Sequence, residues 1–222
     1  MFQPIPDLDY FRLLISDDRS IPLLEAAASI GVIAYPAFDL QGTLGAIDGL
    51  ARRMAEQCQG VSNETARLQK ALRFFYDTLG FAGNAQDYYE PDNSYLHRVL
   101  ETRRGIPITL AVLFAELARP SGLDVEGVAF PGHFLIRANL HGGGLVVIDP
   151  FTGLGLDGDE LDRRAAPHGV PAGRLLRPAS ARHILIRMLN NLHLVYAQQG
   201  RGDLLAQVGE RLRLLQSDGS AR

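Results

Sequence analysis

The first hundred residues carry apolar side chains at helical spacing. Between 40 and 58, LQGTLGAIDGLARRMAEQC places apolar residues three or four positions apart, which predicts an amphipathic helix. The same spacing runs through residues 63–81, where Asn63 is suited to cap a helix and Gly80 to end one. A more apolar run, IPLLEAAASIGVIAYP, precedes both and ends at a proline. This part of the chain is therefore predicted to form a helical layer.

The pattern changes after Gly105. Residues 107–122, PITLAVLFAELARPSG, are apolar around most of the circumference of a helix, which is typical of a buried central helix. Three short runs rich in Val, Ile and Phe follow, separated by turn residues, and they predict an antiparallel meander with strands near 125–130, 133–139 and 145–149. Helices followed by an antiparallel sheet indicate an α+β fold.

The last third of the chain is predicted to contain a loop-rich segment and a helical hairpin. Residues 152–178 hold several Gly, Pro and acidic residues, which is typical of an excursion over the surface. Two apolar helical patterns follow, joined by GRGD with Asp203 as the cap of the second, and their apolar stripe needs a partner surface on the core. The predicted division is a domain over 1–178, with a helical part at about 1–100 and a core at about 101–151, and a hairpin over 179–222.

Composition narrows the class of protein. The 222 residues are 46% hydrophobic and 21% charged, with a net charge of -3, so there is no electrostatic reason to expect nucleic acid or an anionic membrane surface as a partner. No run approaches the roughly 18 apolar residues of a membrane span, and the N-terminus lacks a signal-peptide pattern. With Cys58 as the single cysteine, an internal disulfide and a cysteine-based metal site are excluded, and a cytoplasmic location is expected.

Three motifs stand together in the second half of the chain. They are NSYLHRVLETRRGIPITLAVLFAELARPSGLDVEGVAFPGHFLIR, then IDPF, then the NNLHLVYAQQG hairpin. In this combination the chain resembles the SirB1 family of bacterial transglutaminase-like proteins with a tetratricopeptide-like tail, from about Ile21 to Gln216. The resemblance implies a papain-type core whose triad is a cysteine at a helix N-terminus, a histidine on one strand and an aspartate on the next. It places His133 and Asp149 at the last two positions and Pro107 at the first.

Proline at position 107 changes the expected function. It supplies no thiolate, and it lacks the backbone N–H that serves as an oxyanion donor in this class of enzyme. Proline is nevertheless favoured in the first turn of a helix. We therefore predict a catalytically degenerate domain that uses the cleft near His133 and Asp149 for binding or regulation, with a protein or peptide partner. In such a protein the carboxylate and the imidazole can form a hydrogen-bonded pair that fixes the imidazole tautomer.

Two alternatives remain open from the sequence. The first is an active hydrolase or acyl transferase that uses another nucleophile, such as Thr109. That residue lies about 200° around the helix from Pro107, so a local hydrogen bond of its hydroxyl is the simpler interpretation. The second is a metal site formed by His97, His133, His141 and Asp149, but these spacings match no common ligand pattern. No cofactor or metal is predicted, and the oligomeric state is not indicated.

Polar residues ahead of the central helix are further candidates to line the cleft. His97 stands where the resembling family favours Asn, which puts a role for this position in doubt. A network of Arg and Glu side chains around the turn is the alternative interpretation of several of these residues. The candidates are Asn93, His97, Glu101, Arg103 and Arg104.

Overall fold

A computed structural model describes residues 7–217. The helices are α1 (Asp7–Leu14), α2 (Leu23–Ser29), α3 (Leu40–Cys58), α4 (Glu64–Arg73), α5 (Leu96–Thr102), α6 (Pro107–Ala118), α7 (Gly158–Ala165), α8 (Ala172–Leu175), α9 (Ala181–Gln198) and α10 (Gly202–Ser217). The strands are β1 (Ala82–Gly83), β2 (Arg104–Gly105), β3 (Asp124–Val128), β4 (Leu135–Asn139), β5 (Leu145–Asp149) and β6 (Leu154–Leu156). None of the helices in this range is long and apolar enough to cross a bilayer.

The helical layer and the central helix confirm the α+β prediction. Helix α3 has the predicted bounds, and Asn63 caps α4 by accepting a hydrogen bond from the N–H of Ala66 at 2.9 Å. Helix α4 continues into a π-helical turn over 74–78. Helix α6 is buried on almost every side, because it packs against α3, the sheet and α9. An apolar circumference is what such a position requires.

The sheet is an antiparallel meander in the order β3-β4-β5-β6. Its register pairs Val128 with Leu135 and Ile136 with Ile148, so the predicted meander is confirmed and gains a fourth strand. Side chains alternate between the two faces of each strand. Ile136 and Ile148 therefore face the main core with α6, whereas Leu135 faces the opposite side.

The segment 152–178 differs from the predicted loop-rich excursion. It contains β6, α7 and α8, and Asp157 caps α7. Apolar residues of α7 and of the region around α8 cover the second face of the sheet. The prediction was wrong because these elements are short and rich in Gly, Pro and charged residues, which favour a loop. They are formed in the structure because the second face of the sheet must be covered, and that requirement exists only in the folded protein. The residues of this smaller core are Val128, Phe130, Leu135, Val147, Leu161, Ala165, Ala172 and Leu176.

The C-terminal hairpin packs on the core, as its apolar stripe predicts. Leu185, Met188 and Leu189 are fully buried in the main core, and the hydroxyls of Tyr95 and Tyr196 are hydrogen-bonded at 2.6 Å. Helix α10 begins at Gly202, so Asp203 lies within its first turn and does not precede it as the predicted cap. The division of the chain at residues 178 and 179 stays a prediction, because the hairpin and the preceding residues share one continuous core.

Candidate active-site cleft

A cavity of about 380 Å³ brings Pro107, His133 and Asp149 together. Pro107 is the first residue of α6, and Asp149 is the last residue of β5. His133 follows a tight turn in which its N–H donates to the carbonyl of Phe130 at 3.0 Å, and it lies two residues before β4 instead of on the predicted strand. The complete lining is Tyr88, Pro107, Ile108, Gly132, His133, Phe134, Asp149, Phe151, Arg187 and Asn191.

Asp149 is held by groups other than His133. Its Oδ1 accepts a hydrogen bond from the N–H of Phe151 at 2.9 Å, and its Oδ2 lies 3.5 Å from Nη1 of Arg164. Arg164 projects from α7 and also donates to Glu160 at 2.7 Å. The carboxylate is only 18% exposed, so this arginine is its main compensating charge.

The side chains of His133 and Asp149 are not hydrogen-bonded to each other in the part of the chain that the structure describes. The sequence could not show that α7 would bring an arginine to the carboxylate, because α7 lies in the segment predicted to be a loop. Partial burial lowers the pKa of His133 and the nearby charge of Arg164 lowers it further, while the charges of Asp149 and Glu160 oppose this shift. The imidazole is therefore mainly neutral at pH 7, and no hydrogen bond to the carboxylate fixes its tautomer.

Arg187 of α9 fixes the turn that carries His133. Its guanidinium donates to the carbonyl of His133 at 3.0 Å and to that of Phe130 at 3.4 Å, and it lies 5.6 Å from the ring centroid of Phe134. The C-terminal hairpin thus contributes directly to the cleft, together with Asn191 one helical turn later. Nothing in the local sequence marks Arg187 for this role, since only the packing of α9 brings it to the turn.

An aromatic wall closes another side of the cavity. The rings of Tyr88 and Phe151 are 6.1 Å apart, and Tyr88 is 46% exposed at the mouth. The ring of Phe151 lies over Gly83, where an added Cβ would come within 2.2 Å of it. Asn93 supports Tyr88 from behind by donating to its carbonyl at 3.2 Å, so this candidate acts on the cleft indirectly.

Thr109 lies outside the cleft. Its side chain is fully buried, and its hydroxyl has no hydrogen-bond partner, so the expected local hydrogen bond is also absent. Pro107, two residues earlier, is partly exposed to the cavity. This opposite placement follows from the 100° step of a helix. The structure gives no support to Thr109 as a nucleophile.

The other sequence candidates do not line this cavity. Glu101 is paired with Arg98, so the network of Arg and Glu side chains forms around Arg98 and not around the two later arginines. The guanidinium of Arg103 lies 4.6 Å from the ring centroid of Phe81. Arg104 donates to the carbonyl of Gly80 at 2.8 Å. These side chains stabilise the bend between α5 and α6.

The four residues of the alternative metal site do not lie together at one point of the structure. His141 pairs with Glu64, and His97 stacks on Phe38 with ring centroids 4.6 Å apart. Within residues 7–217 no group of three His, Cys, Asp or Glu side chains is placed to hold a metal ion. His97 is 8% exposed, and neither of its ring nitrogens has a hydrogen-bond partner.

We expect His97 to make the folded protein less stable in acid. Burial lowers the pKa of its imidazole, so the unfolded chain takes up the proton at higher pH than the folded chain does. The free energy of unfolding is therefore unaffected by this protonation above the unfolded-state pKa of about 6.5. It decreases as the pH falls from there towards the lower pKa that His97 has in the folded protein. Replacing His97 by Phe keeps an aromatic ring and removes the titration. Urea unfolding at about pH 7.5 and about pH 5.5 should show a smaller loss for His97→Phe than for the wild type; equal losses would contradict this account.

Comparison with known proteins agrees with this geometry. The profile of the transglutaminase-like superfamily matches residues 41–190, which include α6, the sheet and every residue of the cleft lining except Asn191. The chain belongs to the transglutaminase-like superfamily. No solved structure matches it.

Relatives of this superfamily member occur in bacteria and in animals. A UPF0162 protein of Xylella fastidiosa is 39% identical over 211 residues, which cover 90% of this chain and 74% of the relative. A UPF0162 protein of Vibrio cholerae is 27% identical over 164 residues, which cover 74% of this chain and 61% of the relative. F-box only protein 21 of Homo sapiens is 38% identical over 125 residues, but these cover 53% of this chain and only 20% of that protein.

Proposed function

We propose that this transglutaminase-like chain is a non-catalytic binding or regulatory module of the SirB1 type, with a tetratricopeptide-like C-terminal hairpin. Its cleft between α6, the sheet and α9 binds a protein or peptide partner in the cytoplasm. The observation that carries the proposal is Pro107 in the cavity shared by His133 and Asp149. The residue at the position that would hold the nucleophile lines the same cavity as the histidine, and its side chain has no reactive atom.

Other nucleophiles are poorly placed to replace the missing thiol. No serine, threonine or cysteine belongs to the lining of the cavity. Cys58 is 4% exposed at the end of α3 and borders a different cavity, beside Arg67. His133 is neutral at pH 7 but does not receive a hydrogen bond from a hydroxyl or thiol among the described residues. These facts support binding over acyl transfer.

The shape of the mouth supports a peptide-like partner. Tyr88 and the adjacent Tyr89 are 46% and 56% exposed, and their rings are in edge-to-face contact. Exposed aromatic side chains at a cavity are common anchors in peptide and protein recognition. The volume of about 380 Å³ suits one side chain of a partner with its adjoining backbone.

The proposal is tested by peptide retention on two matched variants. Asn191 lines the cavity, whereas His193, two residues later on α9, is exposed and outside it. Asn191→Trp should fill the cleft, and His193→Trp adds the same ring elsewhere. Peptides from digested bacterial proteins are passed over the immobilised full chain and identified by mass spectrometry. We expect a set of retained peptides that is lost with Asn191→Trp and kept with His193→Trp. Retention of the same peptides by Asn191→Trp would contradict the proposal.

The catalytic alternative has its own measurement. The wild-type chain is incubated with a fluorophosphonate and with a β-lactone, which label activated serine and threonine nucleophiles. We expect no labelling that depends on His133. Stoichiometric labelling that disappears in His133→Ala would instead show an active enzyme.

A further inference from the structure

The charges around the cleft are unequally compensated. Asp149 is paired with Arg164, and Arg164 is shared with Glu160, which also contacts Arg163 at 2.6 Å. Two carboxylates and two guanidinium groups thus form a group without net charge on one side of the cavity. This side offers no free charge to a ligand.

Arg187, which also lines the cavity, has no such compensation. It forms no ion pair with any carboxylate of residues 7–217, and its hydrogen bonds go to two backbone carbonyls. Burial lowers the pKa of its guanidinium, and the titratable groups near it, Tyr88 and His133, carry no negative charge at pH 7. A guanidinium has five N–H donors, so donors remain after these two bonds. A partly desolvated cation of this kind binds a carboxylate more strongly than an exposed cation does.

The remaining walls define the other part of the ligand. Phe134, Phe151 and Ile108 give the cavity an apolar surface beside Arg187. The first turn of α6, a helix of 12 residues, also points its positive end at this space. His133 adds no charge at pH 7. A ligand that fits has an apolar body and one anionic group.

We infer that the cleft binds an apolar carboxylate, with the carboxylate on the guanidinium of Arg187 and the apolar group against Phe134 and Phe151. The C-terminal residue of a peptide and a small aromatic or aliphatic acid share this chemistry. The inference rests on the proposed function and specifies the chemical class of ligand for the same cleft. Arg187 then has two tasks, since it also holds the turn of His133.

The test compares an acid with its amide on the full chain. N-acetylphenylalanine and N-acetylphenylalanine amide differ only in the charged group, and the tripeptide acetyl-Ala-Ala-Phe presents the same carboxylate at the end of a chain. Dissociation constants are measured by calorimetry or by titration of the NMR spectrum. We expect the acid to bind at least about ten-fold more tightly than the amide, the size of one charge-assisted hydrogen bond. Tighter binding of the tripeptide acid than of the single residue would identify a peptide end as the source; the reverse would identify a small acid.

Variants separate the role of the guanidinium from that of the fold. Arg187→Gln should weaken binding of the acid about ten-fold more than binding of the amide, and Arg187→Lys should restore part of this difference. Arg213→Gln removes an exposed arginine of α10 outside the cavity and should leave all affinities unchanged. The comparison of acid and amide on the wild type holds even if Arg187→Gln unfolds.

The outcomes are distinct. Equal binding of acid and amide, or an acid affinity that Arg187→Gln does not change, would overturn the carboxylate inference. Peptide retention that depends on an open cleft would still support the proposed function in that case. Failure of both small ligands to bind would also overturn the inference, while the comparison of Asn191→Trp with His193→Trp decides the proposed function independently.

Discussion

Deletion of the chain from Ser180 onward is expected to leave an insoluble remainder without a cooperative unfolding transition. The hairpin supplies a continuous part of the main core, and it contacts α2, α6 and α1. Removing it would expose the apolar surfaces that now pack against α9 and α10, and large exposed apolar patches lead to aggregation. It would also remove Arg187, which holds the turn of His133.

A pair of point variants measures the same contact in the full chain. Leu189 is fully buried, whereas His193 on the same helix is exposed. Leu189→Ala should lower the free energy of unfolding by about 2–5 kcal/mol, and His193→Ala should change it by less than about 0.5 kcal/mol. Urea denaturation followed by circular dichroism gives both values. A soluble truncated chain with a sharp transition, or a Leu189→Ala variant as stable as His193→Ala, would show the hairpin to be an independent module.

Replacing Pro107 by cysteine is expected to produce a thiol that reacts with iodoacetamide several-fold faster at pH 7 than an unperturbed cysteine. Position 107 begins a helix of 12 residues and is partly exposed in the cavity that contains His133. A helix N-terminus lowers the pKa of a thiol below its usual value of about 8.5. The substitution also restores a backbone N–H at the position proposed for an oxyanion donor.

Acyl transfer by this variant should nevertheless remain small. Asp149 is bound to Arg164 and to the N–H of Phe151, so it does not orient His133 as a triad aspartate would. A misplacement of about 1 Å can cost about 100-fold in rate. Hydrolysis of an activated ester by the variant is therefore expected to exceed that of the wild type only slightly.

The labelling experiment is done in a Cys58→Ser background. The rate is followed from about pH 5 to about pH 9, with and without His133→Ala, to locate the pKa of the new thiol. Removal of the imidazole should slow labelling at neutral pH. A thiol that titrates at about 8.5, with or without His133, would mean that position 107 does not face the histidine. The assignment of Pro107 to the nucleophile position would then be wrong.

Much of the architecture can be predicted from the sequence, because the apolar residues that are buried on one face of a helix or strand recur along the chain at the period of that element. The bounds of α3, the cap at Asn63 and the three main strands are confirmed, since each depends on residues within a few positions of one another. The elements between 152 and 178 were not predictable in the same way. They are short, and they pack on the second face of the sheet. The local sequence of the segment does not indicate that this face will need to be covered.

The identity of the residue at the proposed nucleophile position is also a property of the sequence alone. Proline at 107 removes the thiol and the N–H whatever surrounds it. The partners of His133 and Asp149, by contrast, depend on elements that are distant along the chain. Arg164 reaches the carboxylate from α7, and Arg187 reaches the histidine turn from α9. Packing of these helices decides which charges meet, because an ion pair depends on the distance between side chains and not on their separation in sequence.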